Sequence, residues 1–523
     1  MGCLKNSVNH TCNVLPRTQA EGVGSATLPG RRLAKALALG FLAAILGLSL
    51  SWLSDNPFAL TFQAGAVLIA AGLMVPAIAA LMMLFRSRRL LARIVAVSCI
   101  VVGLLSAFLV GILAAKNRIL WRSRLTKESW QQDVRYLSNL IVRAHPNAFA
   151  HVSQDIYDQE IADLQAQLPS LTDQQIEMRL VRLVASLQDG HSTLFPFQPT
   201  TGFRMLPLQL FLFSDGWYVT DARPKYKWMV GRHVLRIGSK SVDEAYSMLR
   251  PFVGADNEVT IEDRSPFYLL CPEVLQAEGI APDSDSVRFS IEGPQGTPTE
   301  EDIEPVALTT YLYWYFAPLQ RWKRKPSEAA LPLYRQSTWD NYWFRYLESQ
   351  RTAYMAFNQV RDKSDEPFEA FGARVLDFCT KQNAQTLVID LRNNSGGDNS
   401  IFGEFIERLR ASPMNTRGRL YALIGRHTFS AAVNFTSALE RNTDVIFVGE
   451  AAGAGPNHFG DPKRYILPYS KLWVFVSSKY HEWGSPKDQR RAHDANITVS
   501  VSHIDYFSNK DPVLDAVLAR TTK

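Results

Sequence analysis

Three long apolar stretches near the N-terminus constrain this chain more than any other feature. Ala36 to Leu53, Phe58 to Phe85 and Ile94 to Ala115 all approach or exceed the ~20 apolar residues a helix needs to cross a ~30 Å hydrocarbon layer. No apolar surface of similar size lies beside them in the sequence to bury them as core helices. A cleaved leader would show one shorter apolar core and a small-residue cleavage site. Three transmembrane helices are therefore expected within residues 33–115, after a polar tail over 1–32. Arg31, Arg32 and Lys35 precede the first stretch, and Arg86, Arg88, Arg89 and Arg93 follow the second. The positive-inside rule puts both on the cytoplasmic side and sends the chain after the third stretch outside. Lys116, Arg118, Arg122, Arg124 and Lys127 pull the other way, but the two earlier segments agree with each other. The expectation is a multi-pass membrane protein whose large C-terminal part is extracytoplasmic.

That remainder reads as ordinary globular protein, with 20% charged and 46% hydrophobic residues over the 523 of the chain. The net charge of +6 is concentrated beside the apolar stretches. No basic stripe is interleaved with aromatics, so nucleic acid is not an expected partner. Cys3 and Cys12 lie in the polar tail, Cys99 in an apolar stretch, and Cys271 and Cys379 stand alone further on. Their spacing implies neither a disulfide framework nor a zinc site, and no metal is expected.

Three blocks follow the apolar region. Residues 116–200 read as helices: Val134, Leu137, Leu140, Ile141 and Ala144 recur at helical spacing, as do Met178, Leu180, Leu183, Val184 and Leu187. The first of these helices ends at His145-Pro146, because proline disfavours the α conformation before it. Residues 201–310 read as short strands and turns, with Leu208 to Phe213, the turn Asp215-Gly216 and a return strand from Trp217 to Thr220. The segment Gly231 to Gly238 and a helix over Val242 to Leu249 complete a pattern that resembles a PDZ-like module, a fold that takes peptide termini by strand addition. An unrelated small β domain is the alternative. Residues 311–523 alternate strand and helix, as an α/β core does. The clearest strand, Thr386 to Arg392 (TLVIDLR), is followed by Asn393-Asn394-Ser395-Gly396-Gly397 and a helix from Asn399 to Leu409; Leu420 to Gly425 and Asp444 to Gly449 are further strands, with a helix over Ser430 to Glu440.

Three segments carry chemistry. His191, in Asp189-Gly190-His191-Ser192, offers an imidazole with a pKa near ~6.5, suited to general-base work; alone, it is as easily a structural loop histidine. Ser430, in His427-Thr428-Phe429-Ser430-Ala431-Ala432, sits between a strand and a helix. There the free amides of the first turn stabilise a developing oxyanion, although serine is also a favoured helix cap. The Gly396-Gly397 pair lets backbone amides approach a ligand, or makes a tight turn.

In their order and rough spacing, "DGHS", "TLVIDLRNNSGG" and "HTFSAAVNF" resemble the tail-specific (C-terminal-processing) serine protease family, over residues from about Trp130 to the C-terminus. The resemblance implies a ClpP/crotonase-like α/β protease core, a polypeptide substrate and no cofactor. It makes Ser430 the nucleophile and gives the oxyanion hole to the amide of Ala431 and a glycine of the Gly396-Gly397 pair. Members with a Ser–Lys dyad carry the lysine in a "GE-x-x-x-GKG" segment; here it reads Gly449-Glu450-Ala451-Ala452-Gly453-Ala454-Gly455, without lysine. The chain is thus closer to the Ser-His-acid branch, similar to the tricorn core and chlamydial activity-factor proteases. There His191 would be the base and Asp488 the orienting acid, with Glu450 and Asp461 as competitors, and His458 as an alternative base or substrate contact. A non-cleaving peptide- or lipid-binding protein of the same fold is the principal rival reading. An esterase is disfavoured by the absence of a G-x-S-x-G elbow.

Overall fold

A computed structural model describes residues 125–198, 201–293, 296–320 and 331–521. The three apolar stretches of residues 33–115 lie outside the described residues, as does the charge pattern used to orient them. Among the described residues no helix is long and apolar enough to cross a membrane. The described residues all belong to one compact unit.

Local signals at the start of this unit act as the sequence leads one to expect. Helix α1 (Lys127–Ala144) is capped by the Thr126 side chain and buries Trp130, Val134, Leu137, Leu140 and Ile141. It stops before His145-Pro146. Helix α2 (Gln154–Gln167) leads to α3 (Asp173–Ala185), which opens on a reciprocal capping box between Thr172 and Gln175. The face of α3 built from Ile176, Leu180, Leu183 and Val184 is buried, and its C-terminal end delivers Asp189-Gly190-His191.

The next block mixes strands with helices that its turn-rich sequence hides. Strands β1 (Thr193–Leu194) and β2 (Arg204–Met205) are short, and β3 (Leu208–Phe213) pairs with β4 (Gly216–Ala222) in the expected hairpin. Then come β5 (Val234–Ile237), β6 (Lys240–Ser241) and α4 (Val242–Leu249), whose capping box joins Ser241 and Glu244. Helices α5 (Glu258–Leu269) and α6 (Pro272–Ala277) follow, where the sequence pattern had indicated only strands and turns. Strands β7 (Val287–Glu292) and β8 (Pro298–Ile303) complete a four-stranded antiparallel sheet in the order β6-β5-β7-β8. Strand β9 (Val306–Ala307) pairs with β2, and α7 (Leu308–Gln320) ends the block. One apolar core joins these helices and strands to Leu467, Leu472, Val474 and Val476 far along the chain.

The remainder is built on a six-stranded sheet. Strands β10 (Tyr342–Leu347) and β11 (Thr352–Phe357) form an antiparallel pair; α8 (Phe368–Lys381) then leads to β12 (Thr386–Asp390), and α9 (Gly403–Ala411) to β13 (Leu420–Ile424). Helix α10 (Ala431–Asn442) leads to β14 (Ile446–Gly449). Strands β15 (Asn457–Gly460), β16 (Lys463–Ile466), β17 (Trp473–Val476) and β18 (Lys479–Glu482) make small ribbons, and β1 adds to β17. Strand β19 (Ile497–Thr498) closes the main sheet in the order β10-β11-β12-β13-β14-β19, parallel from β11 onward. The short α11 (His503–Phe507) and the terminal α12 (Pro512–Thr521) follow.

Both sheet faces are covered, which is why β11, β12 and β13 are buried at every position. Ile389, Ala422 and Phe447 face Phe368, Phe405 and Phe435 of α8, α9 and α10. Val388, Leu423 and Val448 face Val513, Leu514 and Val517 of α12. Arg392 fastens that helix to the sheet, donating to Asp390 and, at 2.8 and 2.9 Å, to both oxygens of Asp511. In an open parallel sheet, ligands sit beyond the carboxyl ends of the strands. Asn393 to Gly397 and Arg426 to Ser430 lie just beyond the ends of β12 and β13.

Candidate functional site

The turn between β13 and α10 is held open by its own side chains. Thr428 Oγ1 donates to Leu391 O at 2.9 Å and accepts from Gly425 N, while Phe429 N donates to Asn394 O at 3.0 Å. Ser430 follows with φ 55° and ψ −126°, an uncommon conformation for a residue with a side chain. Such strain costs on the order of 1–3 kcal/mol and persists where the surroundings over-determine it. Ser430 Oγ makes no hydrogen bond to any described residue, the cap bond to α10 included. The residue therefore does not act as an ordinary side-chain cap.

The glycine loop closes on Ser430 from the β12 side. A Cβ on Gly396 would stand 2.7 Å from Ser430 Cβ and 2.9 Å from Ala431 N, so only glycine leaves that space free. The Gly396 amide is engaged by Asn394 Oδ1 at 2.9 Å. The Gly397 and Ala431 amides have no acceptor among the described residues. Gly397, at φ 143°, packs against Val360 O, fixing the loop to the sheet edge.

Asp189 to Ser192 are clamped into the same region. Asp189 is fully buried: Oδ1 accepts from the His191 amide at 2.8 Å, and Oδ2 from Ser192 Oγ at 2.5 Å and His145 Nε2 at 3.0 Å. His145 Nδ1 accepts from Asn147 N, which fixes the proton on Nε2. Arg264 Nη1 donates to Gly190 O at 2.7 Å and Gly254 O at 2.6 Å. The Asp256 carboxylate accepts from Gly190 N at 3.0 Å. A side chain on Gly190 would strike both Asp256 and, at 2.9 Å, the Phe429 ring.

His191 is thereby carried to the neighbourhood of Ser430. Its ring stacks on that of Phe429, the preceding residue, with centroids 4.4 Å apart, and runs nearly parallel to the His458 ring at 5.7 Å. Neither His191 ring nitrogen has a hydrogen-bond partner among the described residues, so no bond to Ser430 is formed. Burial holds the imidazole down at about 4, against the pull of Asp189, so it is neutral at ordinary pH. His458 donates from Nδ1 to Gly455 O at 2.9 Å, which leaves its buried Nε2 as a bare acceptor; burial and the nearby His191 push it to about 3.

Each acid weighed from sequence is engaged by a cationic partner of its own. Asp488 is ion-paired with Arg490, which also binds Glu440, and neither of its oxygens meets the His191 ring. Glu450 pairs with Arg426, and Asp461 with Lys479 and His481. Asp189 and Asp256 each bring a carboxyl oxygen within 4.8 Å of a His191 ring nitrogen, and Asp461, though bound to Lys479 and His481, also pulls the His191 pKa upward. Asp189 lies in the quoted motif, but nothing in the sequence links position 256 to it. A second Ser–His pair, Ser437 Oγ with His493 Nε2 at 2.8 Å, is sealed in the core; its hydroxyl donates to Val433 O and cannot be a nucleophile.

These buried imidazoles predict acid lability. His191, His458 and His493 have folded pKa values of about 4, 3 and 4, all below the ~6.5 of an unfolded histidine. As pH falls below ~6.5 the unfolded chain gains their protons first, so stability is lost. Asp256, raised to about 7 by burial and by Asp189, works in the opposite direction because its folded form holds a proton that the unfolded form lacks. His151, lowered by burial, and His427, raised by Asp263 against its burial, oppose each other, so the three depressed histidines still outweigh Asp256. The urea midpoint at pH 5 should accordingly fall well below that at pH 7; an unchanged midpoint would refute buried neutral imidazoles.

No family model matches the chain, and no curated protein matches it. Among solved structures, mature CPAF complexed with lactacystin aligns with a TM-score of 0.53 and 14% identity, covering 75% of this chain and 98% of that one. Mature CPAF without that ligand gives 0.52 at 13%, covering 75% and 96%. At such identity the likeness is one of backbone architecture: the chain has the fold of CPAF.

Proposed function

We propose that this chain is a serine-type endopeptidase that cleaves polypeptides through an acyl-enzyme on Ser430. The observation that carries the reading is the conformation of Ser430, held at φ 55° at the start of α10 with its hydroxyl unbonded. A helix cap needs no such strain, whereas a nucleophile presented to a substrate does. His191 takes the hydroxyl proton once substrate draws ring and hydroxyl together; catalytic hydrogen bonds are often long before substrate binds. Asp189 lies close enough to stabilise the imidazolium that forms, in the place the resemblance gave to Asp488. The free amides of Ala431 and Gly397 receive the oxyanion, with Gly396 kept small to admit it. No step calls for a metal or an organic cofactor. The three apolar stretches over residues 33–115 anchor the enzyme in a membrane with its catalytic part outside.

A non-cleaving protein of this fold has one observation in its favour, the missing bond between His191 and Ser430. A fluorophosphonate probe separates the two. Covalent labelling that maps to Ser430 is the expected result, since only an activated serine reacts. Full-length protein left unlabelled, while it binds peptide, would establish the binding reading.

A further inference from the structure

We propose that Asp189, His191 and Asp256 form a site for one divalent transition-metal ion, of the zinc type, which takes the base out of action while bound. One ligand atom from each residue lies within 4.8 Å of the other two, and all three residues are buried. The independent observation is the state of His191: it is 8% exposed, yet both ring nitrogens lack a partner. A buried polar group left unsatisfied is costly, and here it faces two carboxylates.

Both carboxylates retain capacity. An ionised carboxylate offers about four lone-pair positions, and Asp256 would release its proton on binding an ion. Asp189 uses three, on the His191 amide, Ser192 and His145, and Asp256 is seen to use one, on Gly190 N. Those same donors fix the orientation of the ligands, as outer hydrogen bonds do at protein metal centres. Zinc lies about 2.0–2.2 Å from nitrogen and oxygen donors, so the ligands need to close in by roughly an ångström.

The surroundings select the class of ion. Arg264 donates to Gly190 O and Gly254 O, and Arg491 Nε donates to Asp256 O, so two guanidiniums already offset part of the negative charge. Calcium wants about 6–8 oxygens and magnesium a near-octahedral set, and neither requirement is met. Two carboxylates and an imidazole suit zinc or cobalt, with a fourth position left for water. Whichever ring nitrogen binds the ion, the other keeps the proton and cannot accept one from Ser430. Metal binding stands on geometry alone; its inhibitory consequence rests on the peptidase reading above.

The test uses full-length protein in detergent, titrated with Co2+ and followed by its visible absorption. One equivalent of Co2+ should develop a spectrum that Zn2+ erases, and Asp256→Asn should weaken the ion at least tenfold. His191→Gln should do the same, and replaces Asp256→Asn if that variant does not fold. His458→Ala should bind as wild type does, although its Nε2 is also bare. Failure to bind one equivalent, unchanged affinity in a folded Asp256→Asn or His191→Gln variant, or loss of binding in His458→Ala overturns the site. Zn2+ should also slow fluorophosphonate labelling at least tenfold, reversibly with chelator; labelling unaffected by a bound ion would refute the inhibition. If the metal-free protein never labels, the peptidase reading fails while the cobalt spectrum still decides the metal site.

Discussion

Ser430→Ala should abolish peptide hydrolysis, lowering kcat/KM by about four to six orders of magnitude, while leaving the fold intact. The size follows from covalent catalysis: without the hydroxyl no acyl-enzyme forms, and only positioning and oxyanion stabilisation remain. Stability should change little, or rise slightly, because Ser430 Oγ makes no hydrogen bond that alanine would forfeit. The φ of 55° is unfavourable for alanine too, so relief of strain is not expected. KM should stay near wild type, since the hydroxyl contributes to the transition state rather than to ground-state binding. Measured with an internally quenched peptide, wild-type turnover by a folded Ser430→Ala protein would remove Ser430 from the mechanism. Turnover lost together with the near-ultraviolet dichroism would instead point to a structural serine.

Much of this site is legible in the sequence because its strongest signals are local. Thr386–Asp390 is apolar throughout, as a strand covered on both faces must be, and the glycines that follow it mark a close backbone approach. Thr172 with Gln175 and Ser241 with Glu244 fix helix starts within a few residues of chain. What escapes is non-local or carries a mixed pattern. Helix α5 contains Pro266 and mixes apolar with charged residues, so its periodicity is weak. Strand β10 covers only part of its surface and shows no clean alternation. Asp488 follows from a spacing rule, and spacing does not anticipate that Arg490, two residues on, would engage the carboxylate. Asp256 is invisible in sequence; its only trace is Gly190, which must be glycine because that carboxylate and the Phe429 ring lie where a side chain would go.

His191→Ala tests the assignment that binds these parts together. Removing the base should lower kcat/KM by about four to six orders of magnitude, and adding Ser430→Ala should cost little more, because the two act as a unit. Wild-type enzyme should also show an acid limb near pH 4, where burial has placed the free-enzyme pKa of His191, rather than near ~6.5. A base this weak is effective only if its protonated form is stabilised as it forms, and that role falls to the Asp189 charge. Asp189→Asn should then depress kcat far more than KM, whereas Asp488→Asn, whose carboxylate answers to Arg490, should leave both near wild type. His458 provides the internal control. Its Nε2 is bare among the described residues and its ring lies 5.7 Å from that of His191, so it is a neighbour able to assume the role. If His191→Ala retains a tenth of the activity while His458→Ala abolishes it, the proton goes to His458, and the parallel His191 ring is packing. If both variants lose several orders of magnitude, the two imidazoles work in series, with the inner ring holding the outer one against Phe429. The stacked geometry favours a single base, because His458 already anchors its own ring through Gly455 O and needs nothing from His191 to stay in place.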